Sequence, residues 1–328
     1  MSGNGIGRIL LFASQSRDVY ENLAREEFLF DNLLDSEACL LLYVNEPCIV
    51  IGKHQNPWRE CKTDLVDHDL RLARRISGGG TVYHDEGNLN FSFLMPKRLF
   101  DRRRNLELAV RALSTIRIDA DISSRYDLLA GGRKISGNAF CFRRERALHH
   151  GTLLIASRLE RLRGALLGLQ GITSAAVASN PQPVVNLAEL YPNIQEAAIR
   201  QALLDEFVRT WAASAERPPE IRQLDETSFA VEEVRRLAAR NRAWEWNFGH
   251  TPRFTVRIGR AGEVELAVEE GRVTAVNAEP DADLDGRIAS LLRGVIFGST
   301  NLRKALAGAP EASSQIEELI RWLKANPF

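Results

Sequence analysis

The sequence predicts an α+β fold of the α/β type, with a main domain over residues 1–250 and a small α+β domain over residues 251–328. A length of 328 residues exceeds the roughly 100–200 residues of one typical domain. Apolar residues make up 45% of the chain, enough for a core that needs no disulfide or metal. Strand-like and helical patterns are mixed up to Trp246, and a separate meander-like pattern follows.

The first third of the chain is predicted to be mainly strands with one long helix. Residues 9–13 form an apolar run, and residues 20–34 carry apolar side chains at helical spacing. Two further apolar runs, residues 40–44 and 48–52, are split by Asn45-Glu46-Pro47, which is typical of a hairpin. Three more strands are expected around a glycine turn, at residues 72–76, 81–83 and 88–94.

Helices become more frequent in the later parts of the chain. In the main domain, strands are predicted at residues 126–130, 134–135 and 148–155, and helices at residues 105–113, 159–167, 194–213 and 229–242. In the small domain, strands are predicted at residues 254–258, 264–268 and 273–278, and helices at residues 283–293, 301–307 and 314–326.

Composition excludes several classes of function. The 43 Lys and Arg residues are balanced by 43 Asp and Glu, so the concentrated positive charge of a nucleic-acid-binding protein is not expected. The four cysteines are far apart without a C-x-x-C pair, which argues against a zinc or disulfide framework and indicates a reducing compartment. Apolar runs are too short for a membrane span, and the stretch before the first strand is too short for a targeting peptide. We therefore expect a cytoplasmic protein without a membrane partner.

Three consecutive glycines, Gly78 to Gly80, lie between two strand-like stretches and follow Arg74 and Arg75. Without side chains, such residues let backbone N–H groups approach an anion closely. The ordinary alternative is a tight hairpin with solvated arginines, and it is the favoured interpretation of a single glycine-rich turn. The turn is not a Walker A loop, because the pattern G-x-x-x-x-G-K-[ST] does not occur.

Lys134 is one of only six lysines, and it lies beside Arg133 in a strand-like stretch bracketed by glycines. An ammonium is a compact charge that can touch a carboxylate and a phosphate together, unlike the planar fork of an arginine. The ordinary alternative is an exposed lysine on a strand.

The remaining candidates provide no protein nucleophile. His149 and His150 are adjacent, so a strand directs them to opposite faces, which argues against one shared zinc-type site. No G-x-S-x-G pattern occurs, and Cys141 is expected to be a small buried apolar residue. Cations and N–H donors without a nucleophile suit a site that binds a phosphate-bearing anion and stabilises its transition state.

Taken in order, these segments resemble the lipoate–protein ligase family. Residues 74–88 match R-R-x-S-G-G-G-x-V-x-H-D-x-G-N, residues 134–139 match K-[IV]-S-G-x-A, and residues 149–154 match H-H-x-T-L-L. Residues 52–61 and 244–249 extend the similarity to nearly the whole chain. In further detail, including residues 171–179, the chain is similar to the mitochondrial type of lipoyltransferase.

The resemblance implies a biotin/lipoate-ligase-like catalytic domain with a small C-terminal accessory domain, and a two-step reaction. Lipoate and ATP, with Mg²⁺ as co-substrate, would give lipoyl-AMP and pyrophosphate. A lysine of a carrier domain would then displace AMP. The implied partners are apo lipoyl domains of E2 subunits of 2-oxoacid dehydrogenase complexes and the glycine cleavage H protein.

The resemblance also implies the site residues, whereas metal ligands stay unknown. Lys134 would be catalytic and would bridge the lipoyl carbonyl and the phosphate. The residues placed against the adenylate are Arg75, Gly79, Gly80, Thr81, Val82 and Tyr83. Nearby positions are matched by Arg125, Asp127 and Thr152, and the nucleotide would be flanked by the segment from Val177 to Ser179.

Three functions are distinguished. The first is an ATP-dependent lipoate–protein ligase, and the second is a lipoyltransferase that uses preformed lipoyl-AMP or a lipoylated carrier protein. The third, a nucleotide-sensing adaptor, is disfavoured because it has no use for Lys134. Bacterial ligases typically carry a Lys before residues 171–179 and Arg within them, whereas Gln170 precedes this segment here and no basic residue lies inside it. This departure weakens the expectation of ATP use more than that of transfer.

Overall fold

The computed structural model describes residues 5–66, 70–180, 182–213, 215, 217–278, 282–309 and 313–328. The strands in chain order are β1 (Arg8–Ala13), β2 (Glu37–Tyr43), β3 (Cys48–Ile51), β4 (Arg71–Arg74), β5 (Val82–His84), β6 (Asn88–Pro96), β7 (Asp121–Ile122), β8 (Leu128–Ala130), β9 (Arg133–Ser136), β10 (Asn138–Arg143), β11 (Arg146–Leu154), β12 (Ile172–Ser174), β13 (Glu220–Gln223), β14 (Phe254–Ile258), β15 (Val264–Glu269) and β16 (Arg272–Ala278).

The α-helices are α1 (Val19–Asn32), α2 (Pro57–Glu60), α3 (Arg102–Thr115), α4 (Leu159–Ala165), α5 (Leu187–Leu190), α6 (Glu196–Ala212), α7 (Glu232–Arg242), α8 (Ala282–Leu292), α9 (Ser299–Ala307) and α10 (Ser314–Ala325). Short 3₁₀ turns cover Thr63–Leu65, Lys97–Leu99 and Glu226–Phe229, and a π-helical turn covers Glu245–Gly249. Among the described helices, none is both long and apolar enough to cross a membrane.

A mixed sheet forms the centre of the first part of the chain, with the strand order β10-β11-β6-β2-β1-β13. Strand β1 runs parallel to β2 and β13, and the strands from β2 to β10 pair antiparallel. Helices cover both faces. Because successive side chains on a strand point to opposite faces, Leu11 packs towards α3 and α6 while Phe12 packs towards α1 and α7. The α+β prediction is therefore confirmed.

Two small sheets carry the predicted site segments. Strand β3 pairs parallel with β4 on one side and antiparallel with β5 on the other, and the glycine turn links β4 to β5. Strands β7, β8 and β9 form an antiparallel sheet, and Lys134 lies on β9. Both predicted segments therefore lie on short strands outside the central sheet.

The C-terminal sheet has the strand order β12-β14-β15-β16 and packs against α8, α9 and α10. Two segments from the first part of the chain join it. Strand β12 pairs with β14, and the buried Trp58 ring lies 5.3–5.5 Å from the rings of Phe248, Phe254 and Phe297. The division at residues 250 and 251 stays a prediction, to which the structure adds these two connections across it.

The predicted hairpin of residues 40–52 is wrong. Strand β2 pairs with β1 and β6 in the central sheet, whereas β3 pairs with β4 and β5 in a different sheet. The connecting residue Asn45 is fully buried, and its side chain is hydrogen-bonded to Asn22 and to His84. These contacts direct the chain away from β2 after Tyr43, so the Asn-Glu-Pro sequence joins two sheets.

Arg74 connects the first part of the chain to the residues that precede the C-terminal sheet. Its guanidinium is buried and donates to carbonyl oxygens of residues 52–55, to the carbonyls of Trp246 and Asn247, and to Thr251 Oγ1. In return, Trp246 Nε1 donates to the Arg74 carbonyl at 2.7 Å. Burial lowers the pKa of Arg74 to about 10. The guanidinium thus provides the donors for acceptors from two separate segments.

We expect Arg74→Lys to lower the free energy of unfolding by about 2–4 kcal/mol, because an ammonium cannot reach both sets of buried carbonyls and unsatisfied acceptors are costly. Urea unfolding followed by circular dichroism measures the change. The matched control is Arg71→Lys on the same strand, where a partly exposed side chain pairs with Asp18 and Glu46 and a loss below about 1 kcal/mol is expected. Equal losses in the two variants would contradict the role of Arg74.

Candidate active site

A cavity of about 890 Å³ opens beside the glycine turn, and the predicted site residues meet around it. Its lining includes Arg75, Gly79, Gly80, Thr81, Val82, Tyr83, Arg125, Lys134, Thr152, Val177 and Ser179. Asp127 is not part of the lining and lies behind Lys134, with which it is ion-paired. Residues from β5, β9 and β11, far apart in the sequence, are therefore collected at one place.

Arg75 lies under the glycine turn with 5% of its surface exposed. Its Nη2 donates to the carbonyls of Gly78 (2.6 Å) and Gly80 (2.7 Å), and its Nη1 donates to the Val50 carbonyl (3.1 Å). Burial lowers its pKa to about 10. The predicted contact of Arg75 with the adenylate stays a prediction. The observed contacts make it the residue that shapes the turn.

The carbonyls bound by Arg75 determine where the amide hydrogens of the turn point. In a trans peptide the C=O and the following N–H point in opposite directions. The N–H groups of Gly79 and Thr81 therefore point away from the guanidinium. Thr81 N–H donates to Ser179 Oγ at 2.8 Å, and Gly79 N–H has no acceptor among the described residues. Of these two donors, the Gly79 N–H is the one left for an anion.

The alternative of a tight hairpin with solvated arginines is wrong. Strands β4 and β5 pair on opposite sides of β3 and not with each other, and both Arg74 and Arg75 are buried. Gly79 adopts φ +88°, a conformation that favours glycine, and a Cβ there would lie 2.9 Å from Arg75 Nη2. A Cβ at Gly80 would lie 3.2 Å from Ser179 Oγ.

Lys134 extends from β9 into the cavity, and its Nζ forms an ion pair with Asp127 Oδ1 at 2.7 Å. Its backbone is also fixed, because its N–H donates to the Pro183 carbonyl and its carbonyl accepts from Val185 N–H. Only 22% of the side chain is exposed. The alternative of an exposed strand lysine is therefore wrong. An ammonium has three donors, so two remain for a ligand.

Residues 177–180 cross the mouth of the glycine turn and are held there by two side chains that the sequence analysis did not single out. Gln55 Nε2 donates to Ser179 Oγ (3.0 Å), and Ser179 N–H donates to the Glu60 carboxylate (3.2 Å). Thr81 Oγ1 lies within hydrogen-bond distance of both, at 2.9 Å from Gln55 Oε1 and 3.3 Å from Glu60 Oε2. Both residues belong to residues 52–61, over which the family resemblance already extended.

Cations that sequence reasoning also missed lie at the rim of the same cavity. Arg59 lies in α2 and Arg163 in α4. Both line the cavity that Val177 and Ser179 line. Arg125, which the resemblance already implied, lines the same cavity. Other segments thus place cations at the cavity, whereas residues 171–179 contribute none.

A further part of the cavity lining is apolar and buried. It consists of the buried side chains of Leu23, Tyr43, Val50 and Leu154. The hydroxyl of Tyr83 is buried without a hydrogen-bond partner among the described residues, and burial raises its pKa to about 12. The cavity lining therefore combines apolar side chains with cations.

The histidines and Cys141 differ in burial and in the direction of their pKa shifts. No group of three His, Cys, Asp or Glu side chains that could hold a metal occurs in the described ranges. His84 and His149 are buried, and desolvation lowers the pKa of each to about 3. Burial raises the pKa of Cys141, which is half-buried and more open than predicted. None of these groups is set up as a nucleophile.

Comparisons with known proteins point to one family. The model of the lipoyl protein ligase A/B catalytic domain matches residues 18–208. The chain is 37% identical over 306 residues to the human mitochondrial lipoyl amidotransferase LIPT1, covering 88% of this chain and 81% of that protein. Its fold is similar to P. falciparum LipL1 in complex with lipoate (TM-score 0.64, 24% identity, 97% and 100% of the two chains covered). It is also similar to lipoate-protein ligase A bound with ATP (TM-score 0.60, 24% identity, 75% and 99% covered).

We expect Gly79→Ala to weaken binding of lipoyl-AMP at least tenfold, because the positive φ is strained with a Cβ and the new methyl group would displace Arg75 Nη2. Isothermal titration with a non-reactive lipoyl-AMP analogue measures the affinity. Gly78→Ala is the matched control, since a Cβ there meets no atom within 4 Å. If Gly79→Ala loses thermal stability and keeps its affinity, the turn has only a structural role.

Proposed function

The chain belongs to the lipoyl protein ligase A/B catalytic-domain family, and from that membership we propose that it is a lipoyl-transferring enzyme. It moves the lipoyl group of lipoyl-AMP onto the ε-amino group of a lysine on a carrier domain. The observation that carries the proposal is that Lys134 shares one cavity with a glycine turn whose Gly79 N–H has no acceptor in the described chain.

The chemistry explains why the site has no nucleophile of its own. The incoming lysine nitrogen forms a bond to the lipoyl carbonyl carbon, the bond from that carbon to the phosphate oxygen breaks, and AMP leaves with the electron pair. The amine loses one proton. Because the acceptor lysine belongs to the partner, the enzyme has to position the two reactants and stabilise the charge that develops on the adenylate.

In transfer, cations and N–H donors stabilise the negative charge that develops on the leaving AMP. In activation, they would also hold the carboxylate of lipoate beside the phosphate of ATP, although both groups are anionic. At about 4 Å and an effective dielectric constant near 20, two unit negative charges repel by roughly 4 kcal/mol. Lys134 and the Gly79 N–H of the turn offset that repulsion. Asp127 holds the Lys134 ammonium in place at 2.7 Å, so its remaining donors are oriented before the ligand binds.

The two parts of the cavity lining match the two ends of lipoyl-AMP. The apolar part, formed by Leu23, Val50 and Leu154, accepts the acyl chain, and the part with the glycine turn accepts the phosphate. In this proposal residues 177–179 flank the nucleotide, as the resemblance implies. The carrier proteins, lipoyl domains of E2 subunits and the glycine cleavage H protein, are proposed partners.

We predict that Lys134→Ala reduces lipoyl transfer from lipoyl-AMP to an apo carrier domain at least a hundredfold. Lys134→Arg should be nearly as inactive, because a planar guanidinium does not fit where a compact charge is paired with Asp127. Mass spectrometry of the carrier domain measures transfer. Lys97→Ala, an exposed lysine elsewhere, is the control. Wild-type rates for either Lys134 variant would remove this residue from the mechanism.

A second candidate, ATP-dependent activation of lipoate by the same site, has a specific observation in its favour. The rim arginines Arg59 and Arg163 line the cavity beside residues 177–180 and supply charge for a polyphosphate. Against it stand the lack of basic residues in 171–179 and the 37% identity to a protein named as an amidotransferase. We propose transfer as the main activity and activation, with ATP and Mg²⁺ as co-substrates, as the slower one.

Single-turnover lipoylation of an apo carrier domain tests whether transfer is faster than activation. We expect the reaction from lipoate and MgATP to lag behind that from lipoyl-AMP by roughly tenfold to a hundredfold, since one missing cation costs about 1–3 kcal/mol. The double variant Arg59→Ala, Arg163→Ala should slow activation further and change transfer less. Equal rates for the two starting mixtures would favour a full ligase, and transfer alone would favour a lipoyltransferase.

A further inference from the structure

A chain of four buried polar side chains runs from α1 to the glycine turn. His150 Nδ1 lies 3.0 Å from both carboxylate oxygens of Glu26, and His150 Nε2 lies 2.7 Å from Ser77 Oγ. Ser77 Oγ accepts a hydrogen bond from Arg75 Nε at 3.0 Å. All four side chains are at most 7% exposed. The chain ends at the guanidinium that binds the carbonyls of the turn.

The donor and acceptor roles along this chain run in one direction. A guanidinium can only donate, so Arg75 donates to Ser77. The Ser77 hydroxyl has two acceptors in reach, and the closer is His150 Nε2 at 2.7 Å, against 3.3 Å for the Gly78 carbonyl. With Nε2 accepting, His150 donates from Nδ1 to Glu26. The assignment follows from the network, and every heteroatom in it has a partner.

The same order of groups, serine, histidine and carboxylate, occurs in hydrolases, where the serine attacks the substrate. Here Ser77 is 1% exposed and does not line the cavity, and Arg75 donates to its oxygen. The hydroxyl is therefore unable to reach a substrate. Arg75 and His150 line the cavity, whereas Glu26 and Ser77 do not, so Ser77 contacts the turn region through Arg75.

Packing alone does not explain these residues. Polar side chains are more costly to bury than apolar side chains of similar size. A buried polar network is therefore expected where it holds a specific geometry. The Arg75 side chain has several rotatable bonds, so its guanidinium could take different orientations. The hydrogen bond from Nε to Ser77 Oγ fixes the plane of the guanidinium. With that plane fixed, Nη2 meets the carbonyls of Gly78 and Gly80 together.

We propose that His150 and Ser77 are positioning residues, which hold Arg75 so that the glycine turn keeps its N–H groups directed at the adenylate phosphate. The ligand named in this statement rests on the proposed function. The effect on the turn itself does not, because the hydrogen-bond chain is complete in the protein alone.

The test compares variants that break the chain at different links. Ser77→Ala and His150→Asn break the link to Arg75, and His150→Gln keeps an amide near the position of Nε2 that can accept from Ser77. The matched control is His149→Gln, the adjacent buried histidine, which is bonded to Asn138 and lies outside the chain. Each variant is assayed as the full chain.

The first readout is affinity for a non-reactive lipoyl-AMP analogue together with transfer kinetics. Ser77→Ala and His150→Asn should raise Kd and KM about tenfold, equivalent to about 1.4 kcal/mol, with kcat within about twofold of wild type. His150→Gln and His149→Gln should stay within about threefold of wild type. If the loss of affinity in all four variants is proportional to the decrease in their melting temperatures, the residues serve general packing and the proposal is overturned.

The second readout does not need the ligand. In protein labelled with ¹⁵N-glycine, the amide signals of Gly79 and Gly80 should shift or broaden in Ser77→Ala and His150→Asn and stay unchanged in His149→Gln. Unchanged glycine signals in the first two variants would overturn the proposal. If the wild-type protein fails to bind lipoyl-AMP, the proposed function is wrong, and the glycine signals still decide whether the chain orders the turn.

Discussion

The site depends on one buried charge, the Arg75 guanidinium. A buried ion must be surrounded by acceptors, and the acceptors nearest in the chain are the carbonyls of the glycine turn. Satisfying Arg75 therefore turns the carbonyls of Gly78 and Gly80 inward and the following N–H groups outward. Because Arg75 binds carbonyl oxygens on one side of the turn, the N–H groups that follow those carbonyls lie on the other side. Gly79 allows this arrangement because its positive φ lets the two neighbouring carbonyls converge on one side chain.

The site residues that could be predicted are those whose sequence signal lies within a few consecutive positions. Lys134 and the glycine turn were identified because scarce lysines, consecutive glycines and the motifs they belong to can be read within a few residues. Asp127 was predicted to bind the ligand, and the structure shows it ion-paired with Lys134. A contact between a residue that precedes β8 and one on β9 has no sequence pattern. The contact between Glu26 and His150 spans 124 positions, and no periodicity indicates it.

Secondary structure was predictable where apolar periodicity was strong, as in α1, β6 and the meander of β14 to β16. Pairing was not. Residues 40–52 read as a hairpin because the turn composition is local, whereas the partners of β2 and β3 are distant. Strands β12 and β13 escaped prediction because they are short and exposed, and they become strands through their neighbours β14 and β1.

Arg74 and Arg75 are adjacent in sequence, and their guanidiniums serve different parts of the molecule. Arg74 holds the carbonyl of Gln55 and the turn that precedes the C-terminal sheet, whereas Arg75 holds the glycine turn. The two effects meet again at the cavity, because the Gln55 side chain bonds both Thr81 and Ser179. The backbone of residues 52–55 thus fixes one side of this part of the cavity, and the glycine turn fixes the other. Residues 177–180 close across both, so the geometry of this part of the cavity is determined by two buried cations that need not themselves contact the ligand.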